Sequence, residues 1–561
     1  MNLIDVAKTQ IDNLLTCAYN SVVKAGLLPE GGVLSGAVEI PRDTVHGDYA
    51  ATHAMGAAKQ LKLPPRKIAE MLIEKIELEG SYFSSCSVAG PGFINFFVSE
   101  AWYTKALKAV DEMGEEYGAC NIGAGKRVMV EFVSANPTGP MTLGNARGGA
   151  LGDTLASILS RAGYEVWREF YLNDIGNQVE VLGESLEVRF LQELGHDIPF
   201  PDDGYHGEYV IDFARRYIAN FGDELKDKPS ADRRKALANY VIPINVEKMN
   251  ADLRKYGIKF DLFFNESTLY NDGYLEETID LLSSKGLTYE KDGALWFRAT
   301  DFGCETDDVL RKANGFWTYY AADIAYHRDK LVRRKFDVSI NVLGADHHGH
   351  TIRFPSAIKA MGLDPERLQF LVMQHVILTR DGETVRMSKR TGNAITLADL
   401  LEEVSVDSAR FFFNLRAPNT HLEFDLSLAV RQDSENPVYY VQYAHARICS
   451  LIAMLEADDY AVKSIDEVDS SLLSSDTERD LIKQIALLPE EIKAIARSYD
   501  TSRINKYVIE LAARFHKFYN ACRIRGESNE LLLARLKLAD TTRAVIKNCL
   551  DLLGVSAPER M

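Results

Sequence analysis

The sequence predicts a multidomain α/β protein, with a Rossmann-type parallel sheet at the centre, an α+β domain before it and an all-helical region after it. At 561 residues the chain is too long for one hydrophobic core, so several domains are expected. Apolar runs that suit buried parallel strands alternate with helical segments after residue 127. Beyond about residue 405 only helical periodicity remains.

The first domain is expected to span residues 1–120. Residues 61–76 have helical spacing, with Ile68, Met71 and Leu72 on one face. A Gly-Pro-Gly turn at 90–92 then precedes a strand at 93–98. This mixture indicates a small α+β unit.

The second domain is expected to span residues 121–405. A buried strand at 128–133 leads into a turn rich in glycine and proline, then a helix that ends near Arg161, then a strand at 165–171. Further strands are predicted at 336–343 and 368–373. Residues from about 185 to 300 are more polar and mostly helical, which suggests an insertion into this domain.

The third domain is expected to cover residues 406–561 and to contain helices alone. Its clearest helix carries one continuous apolar stripe. The stripe consists of Ile504, Val508, Leu511, Phe515, Phe518 and Cys522.

Composition limits the classes of function. The net charge of −17 weakens the case for nucleic-acid binding but does not exclude it, because phosphate binding needs only a local basic surface. None of the seven cysteines is paired at metal-ligand spacing, so we expect reduced thiols and no structural zinc. No stretch approaches the length of a membrane span, and the first residues lack the features of a signal peptide. We therefore expect a cytoplasmic protein without a membrane partner.

A nucleotide site is predicted at the turn after the first parallel strand. A helix that begins there presents free N–H groups and a partial positive charge to phosphate, and Gly144, Gly148 and Gly149 allow close approach. The turn is neither a Walker loop nor a GxGxxG turn. A glycine-rich helix start without a ligand is the alternative.

A second motif, Arg-Met-Ser-Lys-Arg-Thr-Gly-Asn at 386–393, supplies a cation on a flexible stem. Lys389 could follow phosphate charge as it develops, and Ser388 could donate a hydrogen bond. Gly382 and Gly392 bracket a loop that could close over a nucleotide. Alone it could be a solvated basic loop, but the two motifs in this order favour ATP binding.

Several motifs give the chain a family resemblance over essentially its full length. They include Ala-Asn-Pro-Thr-Gly-Pro at 135–140 and Gly-Ala-Asp-His-His-Gly at 344–349. The other stretches are residues 171–178, 386–393, 435–447, 515–523 and 557–561. In all of these the chain resembles the arginyl-tRNA synthetases, which belong to the class I aminoacyl-tRNA synthetases.

The resemblance implies an activity and a layout. The first domain, with Gly47-Asp48-Tyr49, would contact the outer corner of tRNA, the Rossmann domain would catalyse, its insertion would guide the acceptor end, and the helical domain would bind the anticodon. The enzyme would activate arginine with ATP and Mg²⁺ and transfer it to the 3′ end of its tRNA. It would need bound tRNA for activation and act as a monomer.

The resemblance also assigns site residues. The arginine pocket would contain Glu131, Asn136, Tyr319 and Asp323, which suits a guanidinium because two of them are carboxylates. ATP would contact Pro137, Gly139, Gly144, Ala146, Asp346, His347, Met387, Ser388 and Lys389. Catalysis would fall to Thr142, Asn145 and Lys389, and tRNA would contact Tyr439, Tyr443, Arg447 and Arg523.

Each assignment has a simpler alternative. Tyr319 and Asp323 could be a plain helix surface, and the tyrosines of the third domain could serve packing alone. His347, His348 and His350 could instead form a zinc cluster.

One departure from the family pattern bears on activity. The family's four-residue signature after 135–140 begins and ends with histidine, where this chain has Thr142 and Asn145. Losing one donor to a reacting phosphate typically costs about 2.7–4 kcal/mol of transition-state stabilisation. A weakened or silent tRNA-binding relative is therefore the main alternative, and a nucleotidyl transferase acting on a small molecule is the second.

Overall fold

The computed structural model describes residues 2–29, 34–41, 43–347, 349–385 and 395–561. Within these ranges three regions follow one another along the chain. None of their helices combines the length and apolar content that spanning a bilayer demands.

The N-terminal region is an α+β unit built on a four-stranded antiparallel sheet of order β1-β2-β4-β3. Its elements are α1 Leu3–Lys24, β1 Val38–Glu39, β2 Tyr49–Ala51, α2 His53–Leu61, α3 Pro65–Ile73, β3 Phe83–Ala89, β4 Phe93–Val98 and α4 Glu100–Met113. The helix predicted at 61–76 corresponds to the shorter α3, and of α2 only Leu61 falls within the predicted range. Lys62 adopts φ of +54° and ends α2, and Pro65 begins α3 because its missing N–H would be unpaired there anyway.

The middle region contains a five-stranded parallel sheet of order β12-β11-β5-β6-β7. Its first half comprises β5 Arg127–Glu131, α5 Leu143–Arg161, β6 Glu165–Leu172, α6 Asn177–Glu193, α7 Glu208–Phe221, α8 Ser230–Lys255 and β7 Leu262–Asn265. Its second half comprises α9 Ser267–Asn271, α10 Tyr274–Ser284, β8 Thr288–Lys291, β9 Ala294–Phe297, β10 Asp308–Arg311, α11 Tyr319–Arg328, β11 Val338–Gly344, α12 His350–Ala360, β12 Leu368–Met373, β13 Val376–Arg380, β14 Glu383–Thr384 and α13 Leu397–Glu403. The strand order reverses between β5 and β11, which is where doubly wound sheets bind ligands.

The stretch predicted as a mostly helical insertion is more varied than expected. Helices α6 to α8 do enclose a separate core that contains Leu186, Phe190 and Leu237. Strand β7, however, forms an edge of the parallel sheet, and β8 to β10 form an antiparallel sheet of their own. These strands are only four residues long, too short for periodicity to reveal them. The domain limits themselves stay a prediction.

The C-terminal region is helical apart from one short strand. Its elements are α14 Val406–Phe413, β15 Leu422–Asp425, α15 Leu426–Ala429, α16 Pro437–Ala457, α17 Asp476–Ala486, α18 Leu488–Ser498, α19 Ser502–Ala521 and α20 Asn529–Leu553. The expectation of helices alone after residue 405 is wrong at β15, which pairs in parallel with β13 and buries Leu422 and Phe424. Helix α19 carries the predicted stripe up to Phe518, while Cys522 follows the end of the helix, and all six residues are buried.

The three regions share one hydrophobic core. Leu15, Phe132 and Phe515, one from each region, are fully buried in the same cluster. A polar junction reinforces it: Arg410 of α14 is fully buried and donates to Asp153 of α5, to the Tyr256 carbonyl and to the Leu553 carbonyl at the end of α20. The parallel sheet with its flanking α+β and helical regions confirms the predicted fold class.

Candidate active site

A cavity of about 800 Å³ opens where the strand order of the parallel sheet reverses. The carboxyl ends of β5 and β11 form its floor, since Glu131 and Asn341 are register partners on these neighbouring strands. The turn before α5 and the first turn of that helix form one wall. The cavity therefore meets both a strand edge rich in polar groups and a helix N-terminus, which favours anionic ligands.

Thr142 and Asn145 hold the start of α5. The Asn145 N–H donates to the Thr142 hydroxyl at 3.3 Å, and the Thr142 N–H donates to Asn145 Oδ1 at 2.9 Å, which makes a reciprocal capping box. The Thr142 hydroxyl also donates to Asn145 Oδ1 at 2.8 Å. Both side chains line the cavity but bond to each other, so their role as phosphate donors stays a prediction.

The backbone before this helix is strained. Val133 and Ser134 adopt φ of +69° and +40°, a region that a β-branched residue such as valine rarely enters. The conformation is held from two sides: Asn145 donates to the Val133 carbonyl, and Ser134 Oγ donates to Glu131 and accepts from the Tyr171 N–H. Strain that surrounding contacts maintain is common at ligand sites.

Helices of the 185–300 stretch support the predicted ATP-binding turn. Asn245 of α8 donates to the Pro137 carbonyl at 2.9 Å, and the hydroxyl of Tyr209 in α7 donates to the Thr138 carbonyl at 2.9 Å. Gly139 lines the cavity next to Tyr209, where a Cβ would lie 3.3 Å from the tyrosine oxygen. Gly144 also lines the cavity, whereas Pro137 and Ala146 are buried behind its wall.

Glu131 lies at the floor of the cavity with both carboxylate oxygens engaged. Lys330 donates to its Oε2 at 2.5 Å and Ser134 to its Oε1 at 3.1 Å. The Lys330 side chain is fully buried and also donates to Asn341 Oδ1 at 2.8 Å. The anionic partner predicted for a guanidinium therefore already has a cationic partner within the protein.

Asp323 faces the same cavity with its carboxylate available. Within the described part of the chain, no hydrogen bond or ion pair reaches it. Burial, and then the nearby Glu266 and Glu131 carboxylates, raise the pKa of Asp323 well above its usual range, and Lys330 opposes this. A bound cation would relieve that repulsion.

Asn136 and Tyr319 lie further out. Asn136 is exposed and lines the cavity. Tyr319 stands outside the lining, where its hydroxyl accepts a hydrogen bond from the Asn177 N–H at 2.8 Å at the start of α6. It is 47% exposed, and its role in binding arginine stays a prediction.

The remaining predicted ATP ligands are described only in part. Asp346 lines the cavity and is mostly exposed, 3.8 Å from His375 Nε2. The backbone of His347 lies in the turn after β11, and His350 also lines the cavity. Met387, Ser388 and Lys389 lie outside the described residues, as does His348. No group of three or more histidine, cysteine or acidic side chains able to hold a metal occurs in the described ranges.

The predicted tRNA-binding residues lie on the C-terminal helices. Tyr439 and Tyr443 of α16 stack with ring centroids 6.2 Å apart, and Tyr443 is 40% exposed. Arg447, one turn further on, lies 4.3 Å over the ring of Tyr519. Arg523 is exposed just after α19. An accessible ring beside a guanidinium can stack on an unpaired base, so this role stays open as a prediction.

Sequence reasoning missed three residues that shape the cavity. Tyr171 and Tyr326 line it, and Lys330 neutralises its floor. Lys330 is 199 positions from Glu131 and sits in a run of charged residues that resembles a solvated helix end. The sequence did offer one signal for a buried cation. Glu131 and Asn341 are polar residues within two otherwise apolar strands that pair in the sheet.

Three models of known protein families match the chain. The family model described as "tRNA synthetases class I (R), catalytic domain" matches residues 110–414. The models "Arginyl tRNA synthetase N terminal domain" and "DALR anticodon binding domain" match residues 9–98 and 441–561.

Relatives resemble the chain over its full length. An arginine–tRNA ligase of Acetivibrio thermocellus is 50% identical, and one of Caldanaerobacter subterraneus is 52% identical, each with 100% of both chains covered. Among solved structures, a putative arginyl-tRNA synthetase of Campylobacter jejuni is 32% identical with a TM-score of 0.75 and covers 83% of this chain and 100% of its own. The Thermus thermophilus enzyme, 22% identical, shares the fold with a TM-score of 0.75 over 99% of this chain and 100% of its own.

The parallel sheet, the cavity at its switch point and the matched catalytic region define a class I aminoacyl-tRNA synthetase. Matches along all three regions narrow the class further. The chain belongs to the arginyl-tRNA synthetase family.

Proposed function

We propose that the chain is an ATP-dependent ligase that joins arginine to the 3′ end of its tRNA, with release of AMP and pyrophosphate. The observation that carries the proposal is Asp323, a carboxylate without a protein partner in the described ranges, facing a cavity beside the N-terminus of α5. The cavity suits a guanidinium at one end and phosphates at the other. Full-length relatives named arginine–tRNA ligase support the same reaction.

In the first step the carboxylate of arginine attacks the α-phosphate of ATP, which gives arginyl-adenylate and pyrophosphate. Asp323 would hold the guanidinium, and Asn136 would orient the amino end of the substrate. The N–H groups at the start of α5 would stabilise charge on the phosphates, aided by Lys389. Positioning and charge stabilisation supply most of the rate enhancement in such a reaction.

In the second step the terminal ribose hydroxyl of tRNA attacks the carbonyl carbon of the adenylate, and AMP leaves. Stacked Tyr439 and Tyr443, with Arg447 and Arg523, would contact the tRNA on the C-terminal helices. Mg²⁺ would enter bound to ATP as part of that substrate. We further propose that activation requires bound tRNA, that the enzyme works as a monomer and that it acts in the cytoplasm, where tRNA is used.

Arginine-dependent exchange of pyrophosphate into ATP, with and without tRNA that accepts arginine, tests the proposal. We expect exchange only when tRNA is present. The variant Asp323→Asn is the matched comparison, because it keeps the shape of the side chain and removes its charge.

Exchange without tRNA would overturn the tRNA requirement alone. Binding of tRNA without any exchange would favour the silent relative that Thr142 raised as an alternative. Full exchange by Asp323→Asn would show that the guanidinium binds elsewhere.

A further inference from the structure

A buried ion pair underlies the cavity, and the proposed chemistry does not use it. Lys330 Nζ lies 2.5 Å from Glu131 Oε2 and 2.8 Å from Asn341 Oδ1, and the lysine side chain is fully buried. Its ammonium also lies 4.0 Å from the ring centroid of Tyr326, a cation–π contact. With His327 Nδ1 at 3.4 Å, four protein side chains surround the ammonium.

The backbone delivers this lysine by an unusual route. Helix α11 ends at Arg328, and residues 329–333 continue it as one turn of π-helix. A turn of π-helix is rare and is frequently found at functional sites. Here it directs Lys330 back under the cavity, toward the ends of β5 and β11, instead of toward solvent.

The charges around the cavity then follow a clear pattern. Glu131 lines the cavity and is paired with Lys330, whereas Asp346 lies at an exposed part of the lining, 3.8 Å from His375. Asp323 faces the cavity without such a partner in the described ranges. Glu266, 2% exposed behind the wall, has its pKa raised by burial to about 7, so part of it is neutral near that pH.

We propose that Lys330 is a specificity-determining positioning residue. Its ammonium neutralises Glu131 within the protein and leaves Asp323 as the carboxylate that receives the guanidinium. The buried end of the cavity, where Glu131 and Asp323 lie, is thereby matched to a ligand with one side-chain positive charge. This inference rests on the proposed function, because it takes arginine as the ligand of this cavity.

A charge-balance cycle on the full-length protein tests it. The variants are Glu131→Gln, Lys330→Met and the double variant, and the readouts are the arginine Kd from calorimetry and the separate KM and kcat of aminoacylation. Glu131→Gln alone leaves a buried ammonium unpaired beside the bound guanidinium, so we expect the Kd to rise on the order of 100-fold. The double variant removes both charges and should recover to within about tenfold of the unmodified protein, chiefly through KM.

The opposite result is equally measurable. If Glu131 itself contacts the guanidinium, the double variant will bind arginine as weakly as Glu131→Gln or more weakly, and the proposal is overturned. The double variant removes both members of the pair and so leaves neither charge without the other, which keeps it informative if a single variant fails to fold. Intact tRNA binding by the double variant verifies that fold.

A matched control separates this result from general effects of losing a lysine. Lys291→Met alters an exposed lysine on β8 and should leave the arginine Kd unchanged. Aminoacylation by the unmodified protein separates the two proposals. If it charges arginine but the cycle fails, only the role of Lys330 falls, whereas no arginine binding at all would remove the proposed function.

Discussion

Thr142 shows that a departure from a catalytic signature can serve the fold. Its hydroxyl and N–H complete the capping box with Asn145, and that box fixes the first turn of α5 against the cavity. Threonine is a good N-cap, whereas alanine and other residues without a side-chain acceptor are poor ones. The side chain therefore positions the N–H groups that phosphate would meet.

This role gives a prediction for Thr142. The change Thr142→Ala should cost about 1 kcal/mol of stability and reduce tRNA-dependent exchange, because the first turn of α5 loses its cap. Thr142→Ser, which keeps the hydroxyl, should retain both. Thr142→His loses a cap of about 1 kcal/mol and gains a donor worth about 2.7–4 kcal/mol, so it should melt lower but raise the exchange rate on the order of 10- to 100-fold. Melting temperature and exchange rate of the three variants check this, and an unchanged exchange rate in the histidine variant would contradict it.

Glu266 gives a prediction about pH. Burial, followed by the charge of Asp174, raises its pKa from 4.5 to about 7. A carboxyl with a raised pKa in the folded state binds its proton more tightly there, so its stabilising contribution is complete below pH 4.5 and is lost as pH rises through about 7. That loss amounts to roughly 3 kcal/mol, at 1.36 kcal/mol per pKa unit.

The variant Glu266→Gln removes this titration. We expect it to melt higher than the unmodified protein at pH 8, with a smaller difference at pH 5. Thermal melting of both proteins across this range is the measurement. An equal difference at both pH values would show that Glu266 does not titrate between them.

At the level of residues, several side chains that line the cavity could be predicted from the sequence, but the contacts between them could not. Glu131, Asn136 and Asp323 do line one cavity, as the family pattern implied. The pattern could not reveal that Glu131 is already paired. Lys330 is 199 positions away in the sequence, and a turn of π-helix brings it to Glu131 only in the folded protein. Tyr319 was predicted as part of the pocket but stands outside its lining, with its hydroxyl bonded to the Asn177 N–H at the start of α6.

At the level of elements, long periodic segments were predictable and short ones were not. Helix α5 ends at Arg161 as predicted, and α19 lies where the apolar stripe predicted a helix. Strands β7 and β15 were missed because four residues give too little alternation, and each exists only through a neighbour in the sheet.

The end of α20 provides a test at this scale. Gly554 adopts φ of +63°, and a Cβ there would lie 2.4 Å from the Arg410 guanidinium. Gly554→Ala should destabilise the protein by about 1–2 kcal/mol for the backbone alone, and by more because Arg410 must move away from Asp153.

Gly526 supplies the matched control. Its φ is +89°, but a Cβ there would meet nothing within 4 Å. The difference in melting temperature between Gly554→Ala and Gly526→Ala isolates the contact with Arg410. Equal effects of the two substitutions would mean that Arg410 adapts without cost.

For the whole molecule, the net charge predicts that salt affects the binding of tRNA more than the binding of arginine. A net charge of −17 repels a polyanion at long range, so tRNA must be held by local cationic surfaces that salt screens. We expect the KM for tRNA to rise by an order of magnitude or more between about 50 and 200 mM salt. The KM for arginine should change little, since Asp323 is largely buried and salt screens buried charges much less than exposed ones. Steady-state aminoacylation at several salt concentrations measures both, and a flat tRNA KM would contradict the prediction.

The shared core has a consequence for how the enzyme is made. A ribosome releases the chain from its N-terminus, so α20 emerges after the sheet and the cavity residues have been synthesised. Because α20 packs against α5 and its Leu553 carbonyl accepts a hydrogen bond from Arg410, the support behind the cavity is synthesised after the residues that line it. We expect nascent chains that stop before α20 to engage chaperones and to lack activity, so the cavity becomes competent only after α20 has folded against α5.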